Sequence, residues 1–397
     1  MGMSRSTGRL AVLALLLALA PAVGAARSEW SGNISLEYRA FVQPPLDPRQ
    51  HGDNLSGAFE PRWFYESDDG RDSLLFEGFV REDQGDAQRS HADLRELLWE
   101  RVGEDWELRV GIGKVFWGVT ESQHLVDIIN QTDLVENFDR EDKLGQPMVN
   151  LSLVRDWGTL DIFVLPGFRE RTFPGVAGRF RGSLPVSTGE ARYESADGDR
   201  HVDYALRWSR SIGDWDLGLS WFRGTGRDPD LLFAGDRFIP FYPQIEQLGV
   251  DAQATLDSWL WKLEVIHRRG QGAAYWAATG GFEYTLYDVG GTGLDVGMLA
   301  EYLYDERGRA APTPFDDDVL AGVRLAFNDE QSSEILFGLI QDLNGDGQVI
   351  NLEASRRLGE RFRLEVEARW FRDTRAGSLV DSLRADDYMQ ATLGWYF

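Results

Sequence analysis

The sequence predicts an all-β fold, a transmembrane antiparallel β-barrel of about 18 strands without a plug domain. Three observations predict it. Apolar and polar residues alternate with period two in segment after segment, the connections alternate between short and long, and the chain stops on an alternating strand closed by Phe397. The 397 residues carry 41 Lys+Arg against 65 Asp+Glu, a formal net charge of −24, and no Cys. Disulfides, thiolate metal sites and Cys nucleophiles are thereby excluded. Lys and Arg are scattered rather than massed in one stripe, so nucleic acid is not an expected partner.

Residues 1–26 read as a removable secretory signal peptide. Arg5 and Arg9 precede an apolar run from Leu10 to Val23, and Gly24-Ala25-Ala26 offers small residues for cleavage. Pro21 breaks the run, which is shorter than the roughly 20 apolar residues a membrane helix needs. No later segment is long and apolar enough for such a helix. Residues 27–397 are then either a soluble exported domain or a membrane barrel, whose strands need only ~9 to 11 residues.

The strands begin at Trp30. From there to Ala40 every even position (Trp30, Gly32, Ile34, Leu36, Tyr38, Ala40) is apolar or small and every odd one is polar. Val202, Tyr204, Leu206 and Trp208 repeat the pattern, as do Phe362, Leu364, Val366, Ala368 and Trp370. Tight polar turns fall at 68–72, 103–105, 156–158, 212–214, 256–258, 288–293, 328–332 and 359–361. Between them run connections at 42–55, 83–91, 118–147, 166–200, 224–242, 269–272, 306–315, 342–347 and 373–385. Two of these, 269–272 and 342–347, are themselves short, but no turn on the other side is long. A soluble sandwich has no reason to sort its turns this way, whereas an outer-membrane barrel faces short turns to the periplasm and long loops outward. The count gives 18 strands, or 16 if one hairpin is misread, with both termini periplasmic. Trp106, Trp157, Trp215, Trp259 and Phe362 stand just past short turns, where an interfacial girdle belongs. In the last strand Met389, Ala391, Leu393, Trp395 and Phe397 alternate with polar or small residues. This resembles the C-terminal signature of bacterial outer-membrane barrels, so Phe397 is expected to engage the barrel assembly machinery. The expected surroundings are the lipids and lipopolysaccharide of a Gram-negative outer membrane.

A barrel of this size is too wide to be filled by wall side chains, so it is a channel or is plugged by loops. Two loops stand out. One places Arg169, Arg171, Arg179 and Arg181 among Phe168, Phe173 and Phe180, a basic aromatic patch in an acidic chain. These arginines either face the lumen as a filter for carboxylates or phosphates, or pair with neighbouring loop carboxylates and lipopolysaccharide phosphates. The other loop, 117–147, carries Leu125, Ile128 and Ile129 at helical spacing within 122–130, which predicts a short inward helix. Alternation assigns Glu107, Arg109, Arg207, Lys262, Glu264, Arg363, Glu365 and Arg369 to the lumen wall.

Gly113-Lys114-Val115-Phe116-Trp117-Gly118, then 127–133, Phe168-Arg169-Glu170-Arg171-Thr172-Phe173-Pro174-Gly175 and 242–247 resemble a family of proteobacterial porin-like outer-membrane proteins of unassigned function. The similarity spans most of the chain and implies a channel without an established substrate. It supplies no catalytic residues.

The stretch 342–353 satisfies the D-x-N-x-D-G-x5-E calcium-loop pattern. Residues beyond Val349 alternate like a strand, which would carry Glu353 roughly 20 Å away at ~3.3 Å per residue. Weak calcium binding by Asp342, Asn344 and Asp346, or a plain external turn, is the choice left; no other cofactor is expected. Five His, none spaced i, i+4, and no G-x-S-x-G or H-E-x-x-H motif leave enzymes without their parts. The expected function is an outer-membrane, porin-like channel for passive or substrate-selective passage of small polar solutes, with anions as one candidate class. The alternative is a surface adhesin or structural barrel with a loop-filled lumen.

Overall fold

A computed structural model describes residues 26–374, 376–378 and 380–397; the expected signal peptide lies outside the described residues except for Ala26. The strands are β1 (Arg27–Phe41), β2 (Asn54–Glu66), β3 (Asp72–Asp83), β4 (His91–Val102), β5 (Trp106–Gly113), β6 (Gln146–Arg155), β7 (Gly158–Pro166), β8 (Arg192–Tyr193), β9 (Val202–Ile212), β10 (Trp215–Thr225) and β11 (Asp230–Phe233). They continue as β12 (Phe238–Tyr242), β13 (Gln244–Leu256), β14 (Trp259–Gly270), β15 (Gly272–Leu286), β16 (Asp295–Asp305), β17 (Asp317–Ala326), β18 (Glu334–Asp342), β19 (Gln348–Leu358), β20 (Phe362–Arg372) and β21 (Tyr388–Tyr396). Eighteen of them form one antiparallel sheet that closes on itself, β1 pairing with both β2 and β21. β8, β11 and β12 make a separate small sheet from the connections after β7 and β10.

Closure satisfies every edge of the 18-stranded wall, as a hydrocarbon surround demands. At the seam the backbone amides of Gly32 and Phe397 donate to each other's carbonyls at 3.2 and 3.1 Å, and the Phe397 ring stacks on Phe59. All eight tight turns and all nine longer connections read from the sequence join consecutive wall strands as expected.

The side-chain distribution inverts that of a soluble domain. In β1, Ile34, Leu36 and Tyr38 are 46, 56 and 48% exposed while Glu37 and Arg39 are 4% exposed. In β13, Leu248 and Val250 lie open while Gln247 and Asp251 are buried. An outward apolar band this continuous is stable only against lipid. Trp157, Trp215, Trp259 and Phe362 sit exposed at the short-turn rim, and Trp259 stacks on Trp261 and meets Tyr284. These rings form the expected girdle.

One irregularity shapes the interior. Glu77 faces Glu96 while Gly78 faces Leu94, so Arg95 is a bulged extra residue in β4, and its guanidinium reaches inward to Asp133 at 2.5 Å.

Candidate functional site: the loop layer inside the barrel

The connection 114–145, between β5 and β6, folds into the barrel. Trp117, Val126, Ile128 and Ile129 are buried against inward apolar residues of the wall, among them Met148, Phe163, Phe222 and Ile266. Two wall carboxylates then take the backbone. Glu264 in β14 accepts from the amides of Val119 (2.7 Å), Thr120 (3.1 Å) and Val126 (3.1 Å) and from the Thr120 hydroxyl (2.8 Å). Glu301 in β16 accepts from the amides of Glu121 (2.7 Å) and Ser122 (2.9 Å) and the Ser122 hydroxyl (2.6 Å). Gly118 adopts φ +151°, and a Cβ there would lie 3.1 Å from Glu264 Oε1, so glycine permits the close approach. β16 is the eighth strand round from β5 in a ring of eighteen, so the loop reaches nearly the opposite wall.

The helix expected over 122–130 is absent: the segment is irregular. The amides of Ser122 and Val126 are committed to Glu301 and Glu264, and Asn130 accepts from Val115 N while donating to Gly113 O and Leu144 O. Wall side chains replace the i−4 carbonyls that a helix would use. The apolar spacing that suggested a helix reflects one face packed on the wall. Beyond it, Asp133 pairs with Arg95, Glu136 with Arg81 (2.8 Å), and Asp139 with Arg369 (3.0 Å), which ties the loop to β3, β4 and β20. Phe138 packs between Phe180 and Phe371.

The basic aromatic loop also turns inward, and each of its four arginines meets a carboxylate. Arg169 pairs with Asp93 (2.6 Å), Arg171 with Asp228 (2.7 Å), Arg179 with Asp386 (2.6 Å) and Arg181 with Asp47 (2.6 Å). Arg171, Arg179 and Arg181 are buried. Phe168 is covered by Tyr242 and Phe180 by Phe41 and Tyr388, while Phe173 is half-buried. Four guanidiniums are thus brought together in one layer, locked to acids of four different segments rather than left open. Sequence reasoning named the arginines and missed Asp47, Asp93, Asp228 and Asp386, since no local spacing links acids up to about two hundred residues away.

Asp228 gathers more than one partner. Arg140 (3.0 Å), Arg171 (2.7 Å) and Arg268 (3.4 Å) converge on its carboxylate. Burial would raise its pKa, but the three guanidiniums outweigh burial and hold it well below the usual carboxylate range. Three cations against one anion leave a local positive surplus, with Arg140 the most solvated of the three. Arg140 and Arg268 were not singled out in the sequence because neither lies in a motif.

The residues that alternation assigned to the wall make the following contacts. Arg207 makes a two-point pair with Asp251 (2.7 and 2.8 Å), Lys262 approaches Glu121 (3.5 Å), and Arg369 meets Glu353, Glu367 and Asp139. Toward the short-turn end, Arg109 links Glu100 and Glu107, and Arg363 pairs with Glu365 at 3.2 Å with both side chains about half exposed. The charged side chains at that end of the lumen are open to solvent.

The turn carrying the calcium-loop pattern forms an ordinary hairpin connection. Asp342 Oδ1 accepts from Asn344 N (2.7 Å), Asn344 donates to Asp317 (3.1 Å), and Glu353 lies in β19 beside Arg369. Among the described residues, the group whose ligand atoms lie within 4.8 Å of one another is instead His91, Asp133 and Glu136. Arg95 and Arg81 already occupy those carboxylates, so a cation would enter against two guanidiniums.

No family model matches the sequence, and no curated protein matches it. Solved structures do resemble the fold. Pseudomonas aeruginosa OccK3 (OpdO) aligns over 93% of this chain and 95% of its own with a TM-score of 0.55 at 12% identity. Pseudomonas aeruginosa OccD3 (OpdP) covers 93% and 91% with a TM-score of 0.54 at 9% identity. Wzi of Escherichia coli, described as a carbohydrate-binding β-barrel involved in group 1 capsule assembly, covers 91% and 83% with a TM-score of 0.51 at 10% identity. At such identities the likeness is one of fold: a closed, porin-like antiparallel β-barrel.

Proposed function

We propose that the protein is an outer-membrane channel for small polar solutes, with the loop layer as its filter. The observation that carries this reading is the 114–145 loop, which crosses a lumen whose short-turn end stays charged and hydrated. A wide barrel narrowed at one level is the form a selective pore takes. The wall is lined by charges of both signs, which suits polar solutes and opposes apolar ones. Anion attraction centres on Asp228, where Arg140, Arg171 and Arg268 leave a positive surplus in a region that focuses the field. Arg169, Arg179 and Arg181 contribute by holding the layer in shape.

The test is conductance and reversal potential in a planar bilayer under a KCl gradient. Wild type should conduct. Arg140→Ser should shift the potential toward cation selectivity, and Asp228→Asn toward anion selectivity. Equal potentials in all three would remove Asp228 and its arginines from the path. No current from a folded, heat-modifiable barrel would favour the second reading, a surface barrel with a loop-filled lumen. The interlocked burial of Arg179, Phe180 and Tyr388 favours that reading, as does the likeness to Wzi.

A further inference from the structure

The outer wall carries a charged row that the channel does not use. Cross-strand pairing aligns Tyr204, Arg223, Glu246 and Arg269 on β9, β10, β13 and β14, all pointing away from the lumen. One step toward the membrane centre, the next row is Leu206, Trp221, Leu248, His267 and Trp276, followed by Trp208, Leu219, Val250 and Val265. The charged row therefore lies at the long-loop edge of the apolar band, directly above an aromatic belt. A cleft of about 640 Å³ opens along it, lined by Tyr204, Arg223, Gln244, Glu246 and Arg269 and topped by His201.

The charges in this cleft do not balance. Glu246 accepts from Trp221 Nε1 (3.0 Å) and is ion-paired with Arg269. Arg223 is exposed and forms no ion pair among the described residues. Two guanidiniums line the cleft against one lining carboxylate, the neighbouring Glu194 carboxylate being taken by the Gln244 amide (2.6 Å), at a surface whose lower half is bare hydrocarbon. An anion with apolar tails satisfies both halves, whereas a free anion uses only the upper one and a neutral lipid only the lower. We propose that this cleft binds a phosphate of an outer-leaflet glycolipid, held by Arg223 and Arg269 with its acyl chains along Leu206, Leu248 and Val250. The site depends on the membrane-facing wall alone and stands whatever crosses the lumen.

Native mass spectrometry of the intact, detergent-solubilised barrel tests it. The probes are bisphosphorylated lipid A, the same lipid dephosphorylated, phosphatidylethanolamine, and inorganic phosphate as a competitor. Wild type should retain the phosphorylated lipid about tenfold better than the dephosphorylated one, the scale of a charge-assisted contact. Arg223→Gln with Arg269→Gln should erase most of that preference, and Arg223→Lys with Arg269→Lys should restore part of it. Heat-modifiable mobility and single-channel conductance should be unchanged in both, which separates loss of the site from loss of the fold. Equal retention by wild type and the Gln variant, or no preference for the phosphorylated lipid, would overturn the proposal. Full displacement by millimolar inorganic phosphate would reassign the cleft to a free anion and overturn the lipid assignment.

Discussion

A guanidinium sealed inside a protein is tolerable only with a partner in place, and Arg179 is the extreme case. Its side chain is 1% exposed, Asp386 takes Nε at 2.6 Å, the Ala385 carbonyl takes another N–H, and Phe41 lies 4.0 Å below the guanidinium carbon. Asp386→Ala strands that charge, at a cost of about 3 to 5 kcal/mol for a broken buried pair. The expected outcome is release of the 167–201 loop, seen as new tryptic cleavage there in an otherwise folded barrel. Replacing both partners by apolar residues, Arg179→Met with Asp386→Leu, should recover protection, because no charge is left uncompensated. Resistance of Asp386→Ala to trypsin would show that the loop is held without this pair. At this scale the sequence disclosed only half of each interaction. A cluster of Arg and Phe is visible as composition, but Asp47, Asp93, Asp228 and Asp386 become partners only through closure of the barrel.

Strands were the most legible elements because their physics is local: a wall strand between lipid and lumen must alternate, and the alternation is written in adjacent residues. Loop 114–145 was legible only as a long connection with an apolar spacing. Its conformation is dictated by acceptors on remote strands, which is why the expected helix fails and irregular backbone takes its place. His124 shows how that anchorage depends on pH. Burial acts to lower its pKa, but Glu141 (3.4 Å) and Glu264 (3.8 Å) outweigh burial and carry it up to about 9. A group raised in the folded state contributes stability fully below its unfolded pKa, here 6.5, and loses it as pH rises through about 9. The contribution is at most about 3 kcal/mol from a shift of this size. Channel noise from loop motion should therefore stay low to pH 7 and grow between pH 8 and 10, while His124→Gln should be noisy throughout and insensitive across that window. A flat noise profile in wild type would mean that His124 does not help seat the loop.

Taken whole, the molecule sorts its connections by side: eight tight turns, the start of β1 and the end of β21 at one rim, nine longer connections at the other. The rule was readable from sequence because turn length and turn composition are local. What sequence could not supply was how far the loops at the long side descend, since descent is decided by charges distributed round the ring. If the short-turn rim faces the periplasm, residues there must be shielded in intact cells, whereas residues on the long loops must be open. The absence of Cys in the chain makes this directly measurable, since each introduced thiol is a single reporter. Glu104, Ile212 and Glu360 are exposed positions on the short-turn rim. On the other side the reporter site must be chosen with care. Gly175 is wedged against Asp86 and Asp305 is buried in a pair with Arg307, so a substitution at either would disturb the layer it is meant to report on. Gly189 has open space around its Cα and Ala310 is exposed, so Gly189→Cys and Ala310→Cys serve instead. An impermeant maleimide applied to intact cells should label these two and leave Glu104→Cys, Ile212→Cys and Glu360→Cys unmodified until the outer membrane is permeabilised. Labelling in the reverse order would turn the barrel over, place the loop layer at the periplasmic mouth, and move the Arg223 and Arg269 row to the inner leaflet, away from the glycolipid it is proposed to hold.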